Sequence, residues 1–154
     1  MKFSILVPTM GLREEEIERF FSSLVKQTYK DFEIVIVSQI NHLMVREKVE
    51  FWSNKLKITH IELVRAGLSY ARNQGLLQCS GEWVILSDDD AWYPDDGLKR
   101  LSEICTGKYP IVLTQIYDPI KKEYYKKYNT NIVEIKNRFQ LMSKSSIEIT
   151  FKKD

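Results

Sequence analysis

The sequence predicts an α/β domain: a mostly parallel sheet with helices on both faces and a short antiparallel extension at the C-terminal end. Three observations carry this. Four short apolar runs, Phe3 to Val7, Phe32 to Val37, Ile58 to Val64 and Trp83 to Ser87, are separated by segments of helical periodicity. This strict alternation over the first two-thirds of the chain is the pattern of strands joined by crossover helices. The fourth run then stops abruptly in Asp88-Asp89-Asp90. That puts carboxylates where open α/β sheets bind ligands, just beyond the carboxyl ends of the strands.

Phe3 to Val7 is the first strand. Glu14, Glu15 and Glu16 suit the first turn of a helix, where the dipole favours negative charge. Ile17, Phe20, Phe21, Leu24 and Val25 then fall on one helical face. Phe32 to Val37 is rich in β-branched residues and reads as the second strand. Val45, Val49, Trp52 and Leu56 mark a second amphipathic helix. Ile58 to Val64 is a third strand, interrupted by Thr59, His60 and Glu62. Leu68, Ala71, Gly75, Leu76 and Cys79 form the inner face of a third helix, whose small residues let it lie close to the sheet. After the fourth strand, Pro94 fits the first turn of another helix. Asp95 and Asp96 sit near its positive end, with Leu98, Leu101 and Ile104 inward. Beyond Gly107 the alternation ends. Ile111 to Ile116 is a strand, Asp118-Pro119 a turn, and Val133 to Ile135 and Ile147 to Phe151 are short strands.

A chain of 154 residues fits one domain with a substantial core. Its net charge of +2 gives no argument for a nucleic-acid partner, and none is expected. No run approaches the roughly 18 apolar residues of a membrane span. The first strand is too short for a signal-peptide core, so a cytoplasmic chain is expected. Cys79 and Cys105 lack metal or disulfide spacing and read as buried thiols in a reducing compartment. His42 and His60 are isolated in sequence and leave little material for a zinc site or a His-based triad.

The Asp triplet has two readings. One is a solvated acidic turn. The other is a metal site, because like charges about 4 Å apart repel by roughly 4 kcal/mol at an effective dielectric near 20. Carboxylate oxygens suit hard ions such as Mg²⁺ or Mn²⁺, which bridge Asp side chains to phosphates. The strand order brings four segments to one edge: Val7-Pro8-Thr9, the end of Phe32 to Gln39, Gly67 to Asn73, and Ser87 to Pro94. Together they offer backbone donors, an arginine and carboxylates, parts suited to a metal-bound nucleotide diphosphate. Lys121 to Tyr128 is a basic, tyrosine-rich stretch. It reads as an exposed hairpin whose lysines discourage edge pairing, or as a contact for an anionic acceptor or membrane surface.

The ordered set resembles the family 2 glycosyltransferases with their GT-A (Rossmann-like) nucleotide-sugar fold. Residues 1 to 105 carry the resemblance. It comprises Val7-Pro8-Thr9, Ser23-Leu24, Gln27-Thr28-Tyr29, and Asp31-Phe32-Glu33-Ile34-Val35-Ile36-Val37. Gly67-Leu68-Ser69-Tyr70-Ala71-Arg72-Asn73-Gln74-Gly75 follows, then Gly81-Glu82 before the acidic motif, and Trp92-Tyr93-Pro94 after it. The resemblance implies that residues 1–105 are the nucleotide-sugar-binding half and 106–154 a partial acceptor-side extension of a single domain. It implies a metal, Mg²⁺ or Mn²⁺, on Asp89 and Asp90, with Asp88 beside the ribose or the metal. Pro8, Thr9, Gln39, Gly67, Leu68 and Arg72 would line the donor, a UDP-sugar by preference. Trp92 and Tyr93 would pack the loop or touch the sugar. The implied reaction is transfer with inversion to a glycan or lipid-linked acceptor, at the inner face of a membrane in the latter case.

Two departures stand out. Family members commonly carry acidic residues after the second strand, where this chain has Ser38-Gln39-Ile40-Asn41. They also carry a later catalytic carboxylate, for which Asp118 and Glu123 are poor substitutes by position, so the base is unassigned. The alternative expectation is a non-catalytic nucleotide-sugar-binding module that works with a complementing chain or as a homo-oligomer. A nucleotidyltransferase is a third reading, for which Met10-Gly11-Leu12-Arg13 is a weak phosphate loop.

Overall fold

The structure, a computed structural model, describes residues 1–107, 111–115, 117–118, 121–124 and 147–153. Strand β1 (Phe3–Thr9), helix α1 (Glu14–Val25), strand β2 (Phe32–Ser38), helix α2 (His42–Trp52), strand β3 (Ile58–Glu62), helix α3 (Leu68–Leu76) and strand β4 (Trp83–Leu86) alternate as the sequence predicts. Helix α4 (Gly97–Ile104) and strands β5 (Ile111–Gln115), β6 (Tyr117–Asp118), β7 (Glu123–Tyr124) and β8 (Ile147–Lys152) complete the described chain.

The main sheet runs β3-β2-β1-β4-β8-β5. β1 pairs in parallel with β2 and β4, and β2 with β3. β8 inserts antiparallel between β4 and β5, which is the antiparallel extension. The first two crossovers step outward from β1 to β3. The third returns over β2 and β1 to add β4 on the far side of β1. Because crossovers of this kind are right-handed, that change of direction puts α3 on the opposite face from α1 and α2.

The period-two alternation of the strands sorts two cores. Phe3, Ile5, Val7, Ile34, Ile36, Trp83 and Ile85 face α1, α2 and α4, against Ile17, Phe20, Phe21, Leu24, Val45, Trp52, Leu98 and Leu101. Leu6, Val35, Val37 and Val84 face α3, against Ala71 and Cys79. Gly75 brings α3 down onto the sheet: a β-carbon there would run into the side chains of Leu6 and Val37.

Several boundaries differ from the sequence reading. β1 continues through Pro8 to Thr9, so a proline sits inside a strand. β3 stops at Glu62, and Val64 is fully exposed in the loop beyond it. Leu56 and Cys79 are buried but lie past the ends of α2 and α3. Leu68, expected inward, is exposed at the first turn of α3. Pro94 precedes α4 rather than opening it, and Ile104, expected inward, is 53% exposed at the last position of the helix. Beside the start of α4 lies the side chain of Gln27, which is buried just beyond the end of α1. Its Oε1 accepts from the Leu98 N–H at 3.0 Å and its Nε2 donates to the Pro94 carbonyl at 2.7 Å, so the loop after α1 fixes where α4 begins. Asp118 belongs to β6, and the turn between β6 and β7 falls at Lys121 and Lys122. Pro119, residues 125–128 and the expected strand at Val133 to Ile135 lie outside the described residues.

Candidate functional site

The strand order reverses between β1 and β4, and ligands of open α/β sheets bind in the crevice at such a switch point. The last residue of β1 and the loop after β4 meet there. Thr9, buried at the end of β1, donates its hydroxyl to Asp89 Oδ2 at 2.6 Å. The Gly11 N–H donates to the same hydroxyl oxygen at 2.9 Å. A hydroxyl has one proton, so with Gly11 filling an acceptor position the Thr9 proton is directed at Asp89. Gly11 has φ of +69° and abuts the Asn41 backbone, so a side chain there would both strain the backbone and collide.

Arg13, four residues beyond Thr9, completes the cluster. Its Nη1 donates to Asp90 Oδ2 at 2.6 Å and lies 3.5 Å from Asp89 Oδ1. Burial raises the Asp89 carboxyl above the ordinary value. The Thr9 hydroxyl and Arg13 act the other way, and the Asp90 and Asp88 charges add to the rise. Asp88 is exposed and accepts from Arg72 Nη2 at 3.3 Å.

Gln39 and Gly67 form the other half of the site. Gln39 follows β2, is buried, and its N–H donates to the Thr9 carbonyl at 3.0 Å. Its Oε1 accepts from the Gly67 N–H at 2.6 Å. This pins the residue before α3 to the end of β2 and leaves the side-chain NH₂ of Gln39 as the donor. Gly67 has φ of +154° and its carbonyl accepts from the Ala71 N–H, the first bond of α3. A hollow of about 240 Å³ opens on the α3 side, lined by Leu6, Ser69, Arg72, Asn73, Leu76 and Leu86. The Arg72 Nε is buried there and, among the described residues, has no hydrogen-bond partner, an arrangement that has a cost unless another group fills it.

The structure therefore brings Thr9, Gln39, Gly67, Arg72, Asp88, Asp89 and Asp90 to one edge. Pro8 lies buried beside Thr9, and Leu68 is exposed beside Gly67. Tyr93 is packed, with its hydroxyl donating to Ser87 Oγ at 2.9 Å and its ring edge-on to Phe20, whereas Trp92 is 45% exposed. Arg13 is the residue that the sequence reading left out of this site. The available signal was charge: three carboxylates at the switch point call for a cation on the facing loop. The two histidines are not isolated in space. His42 Nδ1 and His60 Nε2 lie 2.7 and 2.8 Å from Ser38 Oγ, at the end of β2 next to Gln39.

A divalent ion fits this donor set only in part. Asp89 offers hard oxygens from a largely buried position, and Asp90 adds an exposed carboxylate beside it. Among the described residues no three His, Cys, Asp or Glu side chains converge. The protein would thus supply one or two oxygens and leave the remaining positions to a diphosphate and water, as Mg²⁺-type sites commonly do.

Comparison with known proteins follows the same lines. The sequence pattern of glycosyl transferase family 2 matches residues 4–152. The glycosyltransferase GlyA of Streptococcus pneumoniae is 28% identical over 96% of this chain, and 23% of GlyA is covered. The poly(ribitol-phosphate) β-N-acetylglucosaminyltransferase TarS of Staphylococcus aureus is 35% identical over 64% of this chain and 18% of its own length. This chain spans about a quarter or less of those relatives. The crystal structure of TarS 1–349 in complex with UDP-GlcNAc superposes with a TM-score of 0.66 at 30% identity, covering 72% of this chain and 33% of that one. The mannosyltransferase PcManGT of Pyrobaculum calidifontis, at 20% identity, shares the fold with a TM-score of 0.71 over 98% of this chain and 44% of its own.

Proposed function

The chain belongs to glycosyl transferase family 2, and from that premise we propose that it binds a UDP-sugar with Mg²⁺ or Mn²⁺ at the β1–β4 switch point. The bound donor then passes its sugar, with inversion, to a glycan or lipid-linked acceptor. The observation that carries this reading is the Thr9–Asp89 hydrogen bond across the switch point, with Arg13 and Arg72 on the flanking carboxylates. The preference for uridine rests on TarS, which has been solved with UDP-GlcNAc and is 30% identical over the shared part.

Each residue has a task that follows from its position. Asp89, with Asp90 beside it, would hold the metal ion. When bound, that ion would draw off charge from the leaving diphosphate. Thr9 fixes the Asp89 carboxylate through a hydrogen bond whose direction Gly11 sets. Asp88, exposed at the mouth of the site, can accept from a ribose hydroxyl while Arg72 orients it. The Gln39 carbonyl holds the Gly67 loop, and its NH₂ is left to donate to a carbonyl of the base. Arg72 and the first turn of α3 give the phosphates a positive wall. Contact with a lipid-linked acceptor would place the reaction at the inner face of a membrane.

Calorimetry with UDP, UDP-GlcNAc and GDP, each with Mn²⁺ or EDTA, tests the reading. We expect uridine nucleotides to bind in a metal-dependent way, the metal effect to vanish in Asp89→Asn, and GDP to bind more weakly. UDP binding that ignores both EDTA and Asp89→Asn would overturn it. Metal-dependent binding of UDP-GlcNAc without transfer to any glycan or lipid-linked acceptor would favour a binding module that works with a partner chain.

A further inference from the structure

Among the described residues of this site, Arg13 is a cation to which the reading above gives no task toward the donor. It stands on the loop after β1, directly before α1, with 54% of its side chain exposed. Its guanidinium spans two neighbouring carboxylates, bonding Asp90 Oδ2 at 2.6 Å and lying 3.5 Å from Asp89 Oδ1. Among the described residues Asp89 has little else to offset its charge. One oxygen takes the Thr9 proton, and the other faces Arg13. The other arginine of the site, Arg72, is engaged with Asp88.

We propose that Arg13 is an internal counter-cation, which occupies the Asp89–Asp90 pair in the free chain and must leave Asp89 before a divalent ion can take it. This deepens the reading above and rests on it. A metal ion on Asp89 Oδ1 would stand close to the guanidinium 3.5 Å from that oxygen, so the two positive charges repel and compete for Asp89. The competition has a sign that can be measured. Without nucleotide, Arg13 opposes the metal. With nucleotide, the diphosphate brings negative charge of its own and gives the displaced guanidinium a new anion to face. Metal binding is thereby tied to donor binding. The exposure of Arg13 makes the displacement easy, since solvent-exposed ion pairs are weak.

The test uses Mn²⁺ alone and Mn²⁺ with UDP, following free Mn²⁺ by electron paramagnetic resonance. In the wild-type chain UDP should strengthen Mn²⁺ binding. Arg13→Gln should bind Mn²⁺ alone about three- to tenfold more tightly, the range expected when a half-exposed like charge is removed. The enhancement by UDP should shrink in that variant. Arg13→Lys, which keeps the charge, should behave like the wild type. Unchanged affinity of Arg13→Gln for Mn²⁺ alone, with the wild-type UDP effect intact, would overturn the assignment of Arg13 and leave the parent reading standing. A wild-type chain in which UDP has no effect on Mn²⁺ would sink the parent reading itself. Equal behaviour of Arg13→Lys and Arg13→Gln would also overturn the proposal, because the charge would then not be the cause.

Discussion

Two largely buried carboxylates sit at opposite ends of the same sheet. Glu33 lies near the start of β2, with 4% of its side chain exposed. Asp89 lies beyond the end of β4, with 14% exposed. Burial alone pushes both carboxyls up. At Glu33 that push is overcome: its value falls to about 2 through Lys57, the Ser80 hydroxyl and N–H, and the Ser4 hydroxyl. Those bonds measure 2.8, 2.7, 2.6 and 2.7 Å in that order. At Asp89 burial wins over the Thr9 hydroxyl and the longer, 3.5 Å contact with Arg13, and the Asp90 and Asp88 charges add to the rise. A saturated carboxylate serves the fold. Glu33 ties β1 and β2 to the turn before β4, and the Ser4 hydroxyl in turn accepts from the Gly81 N–H at 2.8 Å. An under-satisfied carboxylate keeps the ability to take a further cation, and structure of this kind clusters at functional sites.

The comparison predicts its largest effect at Glu33. Glu33→Ala removes the acceptor of the fully buried Ser4 hydroxyl and of the more exposed Ser80 hydroxyl and N–H, and frees the exposed Lys57. Leaving a buried donor without its acceptor costs about 1–3 kcal/mol, read as a lower midpoint in urea unfolding. Asp89→Asn keeps the shape, removes a poorly compensated charge, and should change stability by less than about 1 kcal/mol. Equal losses at the two positions would break the distinction.

The second prediction concerns acid. Glu33 has a folded value of about 2 against an ordinary 4.5. A depressed carboxyl contributes stability that is fully present above the unfolded value and is lost as pH falls through the folded one. The window is therefore about pH 4.5 down to 2, and the contribution is about 3 kcal/mol by linkage. Unfolding free energy measured across that window should fall in the wild type and run flatter in Glu33→Gln. Parallel profiles would remove Glu33 as the cause.

The contrast between the two ends also explains what the sequence could disclose. Strand cores such as Ile34 to Val37 were legible because burial on both faces leaves an uninterrupted apolar run. The helix faces of Phe20, Phe21 and Leu24 were legible from their period. Thr9, Gln39 and Asp88 to Asp90 were legible because topology alone sends strand ends to one edge. Glu33 was not: within an apolar strand it carries no local sign that Ser80, far along the chain, will meet it. Arg13 was missed for the same reason, since its partners lie across the β1–β4 boundary and not beside it in sequence. The start of α4 was misplaced because Gln27, in the loop after α1, sets it in preference to Pro94.

A third prediction tests the functional end. Thr9→Val is nearly isosteric but removes the proton that orients Asp89 and the acceptor for the Gly11 N–H. A lost hydrogen bond to a charged group is worth about 1.5–3 kcal/mol, part of which should appear as weaker Mn²⁺–UDP binding. About a tenfold loss, 1.4 kcal/mol, is expected by calorimetry. Full retention would show that Asp89 does not depend on Thr9 for its position.

The smallest effect belongs to Lys57, and it separates geometry from energy at the structural end. Lys57 Nζ lies 2.8 Å from Glu33 Oε2, and among the bonds that lower the Glu33 carboxyl it ranks first. Yet 59% of the Lys57 side chain is exposed, so water and salt screen its charge and its freed tail regains motion when the bond breaks. The three donors on Oε1 are from Ser4 and Ser80, and they remain in Lys57→Ala. That substitution should therefore cost less than about 1 kcal/mol at pH 7, below Glu33→Ala. The acid transition should move to higher pH, because the folded carboxyl loses its cation. Raising the salt to about 1 M should move the wild type in the same direction and leave the variant nearly unchanged. A loss in Lys57→Ala as large as that in Glu33→Ala would mean that the lysine, and not the Ser4 and Ser80 donors, makes Glu33 a structural carboxylate.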